Sequence, residues 1–298
     1  EAGGRATLHG GRGMNRKLKA RVNKTALWVA TFILMLVICL PGLWVVLSGF
    51  RPNSEILAKP AIWIPLDLTL RNFAEIFGFG QERVAIPVLA YFTNSMVIAL
   101  TSTVIAVLIG MSGGYAFARF RFAGKNTLFL GLMLSRAVPG IALSLPVFMI
   151  WSRLGLIDTK LGIIIVYVAI NVPFTIWLID GFFRQIPKEM NEAAQVDGCT
   201  RWQAFWKIEF PLARSGIASA GVFAFLTSWN EYALVSQLSR STDSKTLPVG
   251  LMDFTSQFTI NWAGMCAMAF IIIVPALILT FLVQKHLIAG LTFGGVKG

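Results

Sequence analysis

Residues 26–48 read ALWVATFILMLVICLPGLWVVLS, a run without a single charged side chain. A bilayer's hydrocarbon core is roughly 30 Å thick and needs about 20 consecutive, mostly apolar residues to cross it as a helix. This run meets that length, and five others come close to it or exceed it: 88–110, 127–150, 161–182, 215–236 and 263–284. Backbone amides and carbonyls cannot stay unpaired in hydrocarbon, and these runs are too long and alternate too little for barrel strands. The expected fold class is therefore all-α, a polytopic membrane protein with about six transmembrane helices.

Composition agrees. Apolar residues make up 56% of the 298 and charged residues 13%, with a mean hydropathy of +0.70, whereas a soluble domain carries roughly a quarter charged residues. The net charge of +12 suggests nucleic acid until the cations are placed against the spans. Seventeen Lys and Arg fall in residues 1–25, 119–125, 184–214 and at the C-terminal end. Eight fall in the three alternate loops, and Arg136 sits inside a span. That asymmetry is a topology signal, which predicts both termini in the cytoplasm and no role in binding nucleic acid.

The basic start followed by an apolar run resembles a signal peptide, but the run is too long and has no small-residue cleavage site, so an uncleaved first helix is expected. Glu1 to Gly13 match no element and are read as an upstream extension or a cloning scar. The expected organisation is a cytoplasmic extension over 1–25, one six-helix transmembrane domain over 26–285 that contains the 183–214 loop, and a cytoplasmic tail over 286–298. Cys39, Cys199 and Cys266 are far apart in sequence, so neither a disulfide framework nor a metal site is implied.

Two loops stand out. Residues 49–87 are proline-rich, contain Trp63 and Phe73, and are expected to lie across the outer membrane surface. Residues 183–214 are polar and read as helix, turn, helix. Pro187 suits a first helical position, and 188–196 form the body. Gly198 supplies the left-handed stop, and Thr200 with Gln203 makes a capping box for a second helix that Pro211 ends.

Within that loop, Glu192-Ala193-Ala194-Gln195-Val196-Asp197-Gly198, followed by Ile208, Phe210, Pro211 and Leu212, resembles the coupling loop of ATP-binding-cassette importer permeases. Taken alone, Glu-Ala-Ala is an ordinary helix pattern; its place in the largest inward loop after the fourth span makes the resemblance specific. Phe210 departs from the family's usual leucine, an apolar exchange at a packing position. Similarity to the maltose-type sugar permeases also runs through Tyr115-Ala116-Phe117-Ala118-Arg119, Pro173-Phe174, Trp229-Asn230-Glu231 and the final Gly294-Gly295-Val296-Lys297-Gly298.

That resemblance implies an inner-membrane subunit of a binding-protein-dependent importer. It would pair with a second homologous permease subunit, two ATPase subunits carrying ATP and Mg, and an extracytoplasmic solute-binding protein, with a saccharide as cargo. It assigns ATPase coupling to Glu192, Ala193, Ala194, Asp197, Gly198 and Pro211. The tail residues Gly294, Gly295 and Lys297 would reach the ATPase interface.

Charges inside spans need a reason, since one at a helix centre costs about 2.5 to 3.5 kcal/mol on the insertion scale. Arg136, before Val138-Pro139-Gly140, and Glu231, after Asn230, are thus candidates for a polar translocation path, with Asn94 a weaker one. An acidic oligosaccharide would suit Arg136. Snorkelling or pairing with another subunit would explain the same charges. Trp151, Trp177, Trp229 and Trp262 are expected at membrane interfaces, and Gly110 with Gly114 is expected to allow close helix packing.

The chain has no phosphate-binding G-x-x-x-x-G-K-[ST] loop and only His9 and His286, so neither ATP hydrolysis nor zinc-dependent hydrolysis is expected of it, and no cofactor bound by the chain itself. A secondary transporter or channel, with titratable residues at the membrane centre but no docking elbow, is the reading from another class.

Overall fold

A computed structural model of the chain describes the backbone of residues 10–79, 86–256 and 259–292, and side chains over 23–79, 86–256 and 259–284. We number the principal helices α1 (Gly10–Ser48), α2 (Val88–Arg119), α3 (Lys125–Ser135), α4 (Gly140–Leu154), α5 (Lys160–Gln185), α6 (Lys188–Val196), α7 (Arg201–Asn230) and α8 (Trp262–Thr292). Among the described residues no strand forms; the sole β pairing is a bridge between Thr255 and Ile260.

Five helices, or stretches of them, are long and apolar enough to cross a membrane: Asn23–Ser48, α2, α5, α7 and Trp262–Gln284. The expected third span, 127–150, is instead two helices bent by 96°, α3 and α4, separated by Arg136 to Pro139. The cause is local. Pro139 is extended, with φ −60° and ψ 133°, has no N–H to give, and disfavours the helical conformation in the residue before it. Counting the broken pair as one span restores six.

The closest packing runs between α2 and α5. A Cβ added to Gly110 would lie 2.5 Å from Thr175 Oγ1, and one on Gly114 would lie 2.9 Å from the backbone nitrogen of Asp180. In lipid, where helices gain little by hiding apolar surface from one another, such small-residue contacts are what brings backbones together. Thr175 completes the contact by donating to Ala106 O across the seam at 3.2 Å.

α7 and α8 pack against this pair. The core there includes Trp229, 1% exposed, whose ring stacks on Phe225 and whose indole N–H donates to Ile272 O at 3.0 Å. Trp229 is therefore a core residue and not part of an interfacial belt. α1 meets the bundle at its C-terminal end against α8, and its side chains from 23 to 43 are exposed.

The connecting segments sort to two ends. At one end Arg119 bonds Ile186 O, and at the other Asp158 accepts from Arg240 and Ser241 while Tyr91 donates to Asp253. Asp158 holds φ 60°. Burial pushes its carboxyl up, but the Ser241 and Arg240 N–H groups and the Ser244 hydroxyl outweigh this and hold it well below the usual range.

Candidate coupling elbow and membrane cavity

The elbow begins where α5 ends. Ile186 is extended and Pro187 takes the N-cap of α6, one residue ahead of the expected first helical position. The short helix stops in a Schellman motif: Cys199 N–H reaches Ala194 O at 2.9 Å and Gly198 N–H reaches Gln195 O at 3.1 Å, with Gly198 at φ 89°. The chain then re-enters a helix through the capping box, Thr200 Oγ1 accepting from Gln203 N–H at 3.2 Å and Gln203 Oε1 from Thr200 N–H at 2.9 Å.

Pro211 does not end this second helix. Residues Phe205–Glu209 form a π turn, and α7 continues through Pro211 to Asn230. Proline removes one i→i−4 bond and crowds the carbonyl four residues earlier; the wider π turn lies where that crowding falls and absorbs it.

The π turn also aims Glu209 inward. Its carboxylate, fully buried, takes Arg119 Nε at 2.8 and 3.1 Å and the Asn191 amide, while Arg119 Nη2 donates to Ile186 O at 3.0 Å. One buried pair thus joins the end of α2, the start of α6 and the root of α7. Arg184 adds a second tie, bonding Asp180 at 2.7 Å and Phe117 O at 3.2 Å.

The outer side of the elbow has the opposite character. Ala194 faces the body and is buried, whereas Glu192, Ala193, Asp197 and Gly198 are exposed. Val196 is 86% and Trp202 69% exposed, and Trp202 is held flat on Phe205 at 5.8 Å. Beside them is a cleft of about 280 Å³ whose walls include Arg119, Arg121, Lys188 and Arg201. A rigidly braced helix with apolar residues facing out, flanked by charge, can receive another protein and pass on its displacement.

A second concavity, about 410 Å³, opens at the break between α3 and α4, with Arg136, Trp151, Pro173 and Glu231 in its wall. The Arg136 guanidinium lies 4.4 Å over the Phe174 ring. Glu231 is not within a span: it is extended, just past α7, and its two carboxylate oxygens accept N–H from Leu234 at 2.8 Å and Val235 at 3.1 Å.

The profile of the binding-protein-dependent transport system inner membrane component family matches residues 106–292. The chain belongs to that family. This permease is 34% identical to a probable ABC transporter permease protein, y4oR, of Sinorhizobium fredii, over 93% of its own length and 98% of the other. It is 32% identical to the diacetylchitobiose uptake system permease protein DasC of Streptomyces coelicolor, over 96% and 100%. It is 36% identical to the trehalose transport system permease protein SugB of Mycobacterium tuberculosis, over 87% and 92%. Its fold matches a chain in the crystal structure of a bacterial ABC transporter involved in the import of the acidic polysaccharide alginate, with TM-score 0.73, 20% identity and coverage of 90% and 97%. The permease is thus a multi-pass bacterial inner-membrane protein of an ABC importer in which separate subunits hydrolyse ATP. Membership removes the secondary-transporter reading.

The permease brings Glu192, Ala193, Ala194, Asp197 and Gly198 together on one elbow, with Pro211 apart in α7. Arg136 and Glu231 share the cavity. Asn230 is exposed and bonds its own helix at Leu226 O, and Asn94 is buried, its amide spent on the carbonyls of Thr242 and Lys245. Gly294, Gly295 and Lys297 lie outside the described residues. Sequence reading assigned no role of their own to Arg119, Asn191, Glu209, Val196 and Trp202, although Arg119 and Val196 lie in the motifs that carried the resemblance.

Proposed function

We propose that this permease imports a saccharide, with both termini cytoplasmic. In this reading the elbow of α6 and Gly198 docks into an ABC ATPase, and a second homologous permease subunit completes the pathway. A solute-binding protein delivers cargo on the outer side, and ATP with Mg is bound by two ATPase subunits. The observation that carries the reading is the braced elbow: Val196 and Trp202 face outward while Arg119, Asn191 and Glu209 lock its inner side to α2 and α7.

The charge asymmetry supports the orientation, since the elbow lies in the internal loop that holds the most Lys and Arg, five in all. Relatives named for diacetylchitobiose and trehalose support a saccharide as cargo. The cavity with Arg136 and Glu231 lies at the break in the third span, where irregular backbone can border a polar path. An anionic sugar group would complement Arg136, whose guanidinium meets no acceptor among the described residues.

The test is reconstitution of the importer in proteoliposomes with its binding protein, using neutral and acidic oligosaccharides. Wild type should transport and show ATPase activity that rises with loaded binding protein. Gly198→Val, which forces a β-branched residue into φ 89°, should lose transport while the ATPase subunits keep basal hydrolysis. Full transport in that variant would refute the elbow's role.

A further inference from the structure

The segment that follows α1 is built inside out for a loop in water. Arg51 is 1% exposed and Glu55 8%, paired at 2.7 Å, and Glu55 also accepts from Leu66 N–H at 3.0 Å. Arg51 donates to Ile62 O at 2.8 Å, and Asn72 ties Gly49 O and Arg51 O at 2.8 Å each. The Arg51 and Glu55 charges of this corner are turned inward and satisfied, while Lys59, Asp67 and Arg71 stay exposed. Facing outward are Trp63 at 75%, Ile64 at 77%, Leu66 at 73%, Leu68 at 69% and Leu70 at 67% exposed. Contiguous exposed apolar surface of this kind marks contact with a partner or a membrane.

The depth of the segment favours the membrane. The uncharged run 26–48 has 23 residues; at about 1.5 Å per residue it outruns a hydrocarbon core of roughly 30 Å by about 4 Å. Lys24 holds the opposite end at the headgroups, so the excess falls in the last turn, next to Trp44. Trp63 folds back against Trp44, ring centroids 5.6 Å apart, and the Arg51 guanidinium lies 5.3 Å from the Trp44 ring. Paired tryptophans with a cation alongside are the chemistry of that layer. The neighbouring side chains of α1 are exposed too, so the loop continues an apolar surface already exposed on the subunit.

We propose that residues 63–70 form an interfacial anchor that inserts Trp63, Ile64, Leu66, Leu68 and Leu70 into the outer lipid leaflet beside α1. The internal Arg51–Glu55 pair holds the anchor's shape, and insertion fixes the height and tilt of α1 against the bundle.

The test uses the assembled importer in proteoliposomes, with Cys39, Cys199 and Cys266 replaced and a single cysteine introduced as Ile64→Cys or, separately, Leu68→Cys. Each carries an environment-sensitive fluorophore; Asp243→Cys, on an exposed loop at the same end, is the aqueous control. Phospholipid spin-labelled near the glycerol should quench positions 64 and 68 but not 243. Iodide, present on both sides of the bilayer, should quench 243 alone. Quenching of 64 and 68 by iodide would overturn the anchor in favour of a water-facing loop. Protection from both quenchers would overturn it in favour of a protein partner on this face.

Discussion

Arg119 and Glu209, 90 positions apart in sequence, form a buried ion pair at 2.8 Å that binds the end of α2 to the π turn at the root of α7. Because Asn191 of α6 shares the same carboxylate, a displacement of the elbow is felt by both long helices. Removing one partner of a buried pair strands the other charge and typically costs about 3–5 kcal/mol, whereas replacing both with apolar groups is often neutral. Arg119→Met should therefore unfold earlier on heating in detergent by that order, and the double variant Arg119→Met with Glu209→Met should recover most of the loss. If the double variant recovers heat stability but not transport, the pair carries motion as well as structure.

The α2–α5 seam predicts a ranking. Gly114→Ala meets backbone at 2.9 Å, Gly110→Ala meets the Thr175 side chain at 2.5 Å, and Gly131→Ala in α3 meets nothing within 4 Å. Backbone yields least, so Gly114→Ala should cost at the upper end of the overpacking range of about 1–3 kcal/mol, with Gly110→Ala below it. Gly131→Ala should hold or gain stability through helix propensity. Thermal unfolding of the three purified variants checks the order.

Much of this fold follows from apolar run length, because hydrocarbon thickness selects for it directly. The starts of α2, α5 and α8 and the end of α1 fall within a residue of the runs that announce them. The break at Arg136 was hidden because hydropathy averages across four residues, although Val138-Pro139 marked a bend. Trp229 was misread because an apolar side chain looks the same whether it faces lipid or protein. Pro211 was misread because the π turn at Phe205–Glu209 absorbs the crowding that would otherwise stop the helix there. Gly198 and the Thr200 box were legible, their chemistry being local; the Arg119–Glu209 pair was not, because no local pattern links positions so far apart.

Asp158 should show a pH signature. Its carboxyl is held below the ordinary value of 3.8, so its contribution to stability is fully present above about pH 5 and is lost as pH falls through 3.8 toward the folded value. Asp158→Asn keeps a side chain that tolerates the left-handed backbone but removes the charge. The variant should be less stable than wild type at pH 7, and the gap should close on acidification. A gap that stays constant from pH 7 to pH 3 would show that charge is not what holds the loop.

The Thr200→Ala substitution removes one half of the capping box and should cost about 1 kcal/mol, felt locally. Hydrogen exchange should quicken at the amides of residues 201–204, with α5 and the core of α7 unchanged.

The most direct measurement places a photo-activated cross-linking residue at Val196, 86% exposed on the elbow, in the assembled importer, and identifies what it captures. The elbow reading predicts an adduct with the ATPase subunit, whose yield changes when ATP is bound. Capture of the solute-binding protein, or of lipid alone, in complexes that still transport would contradict it.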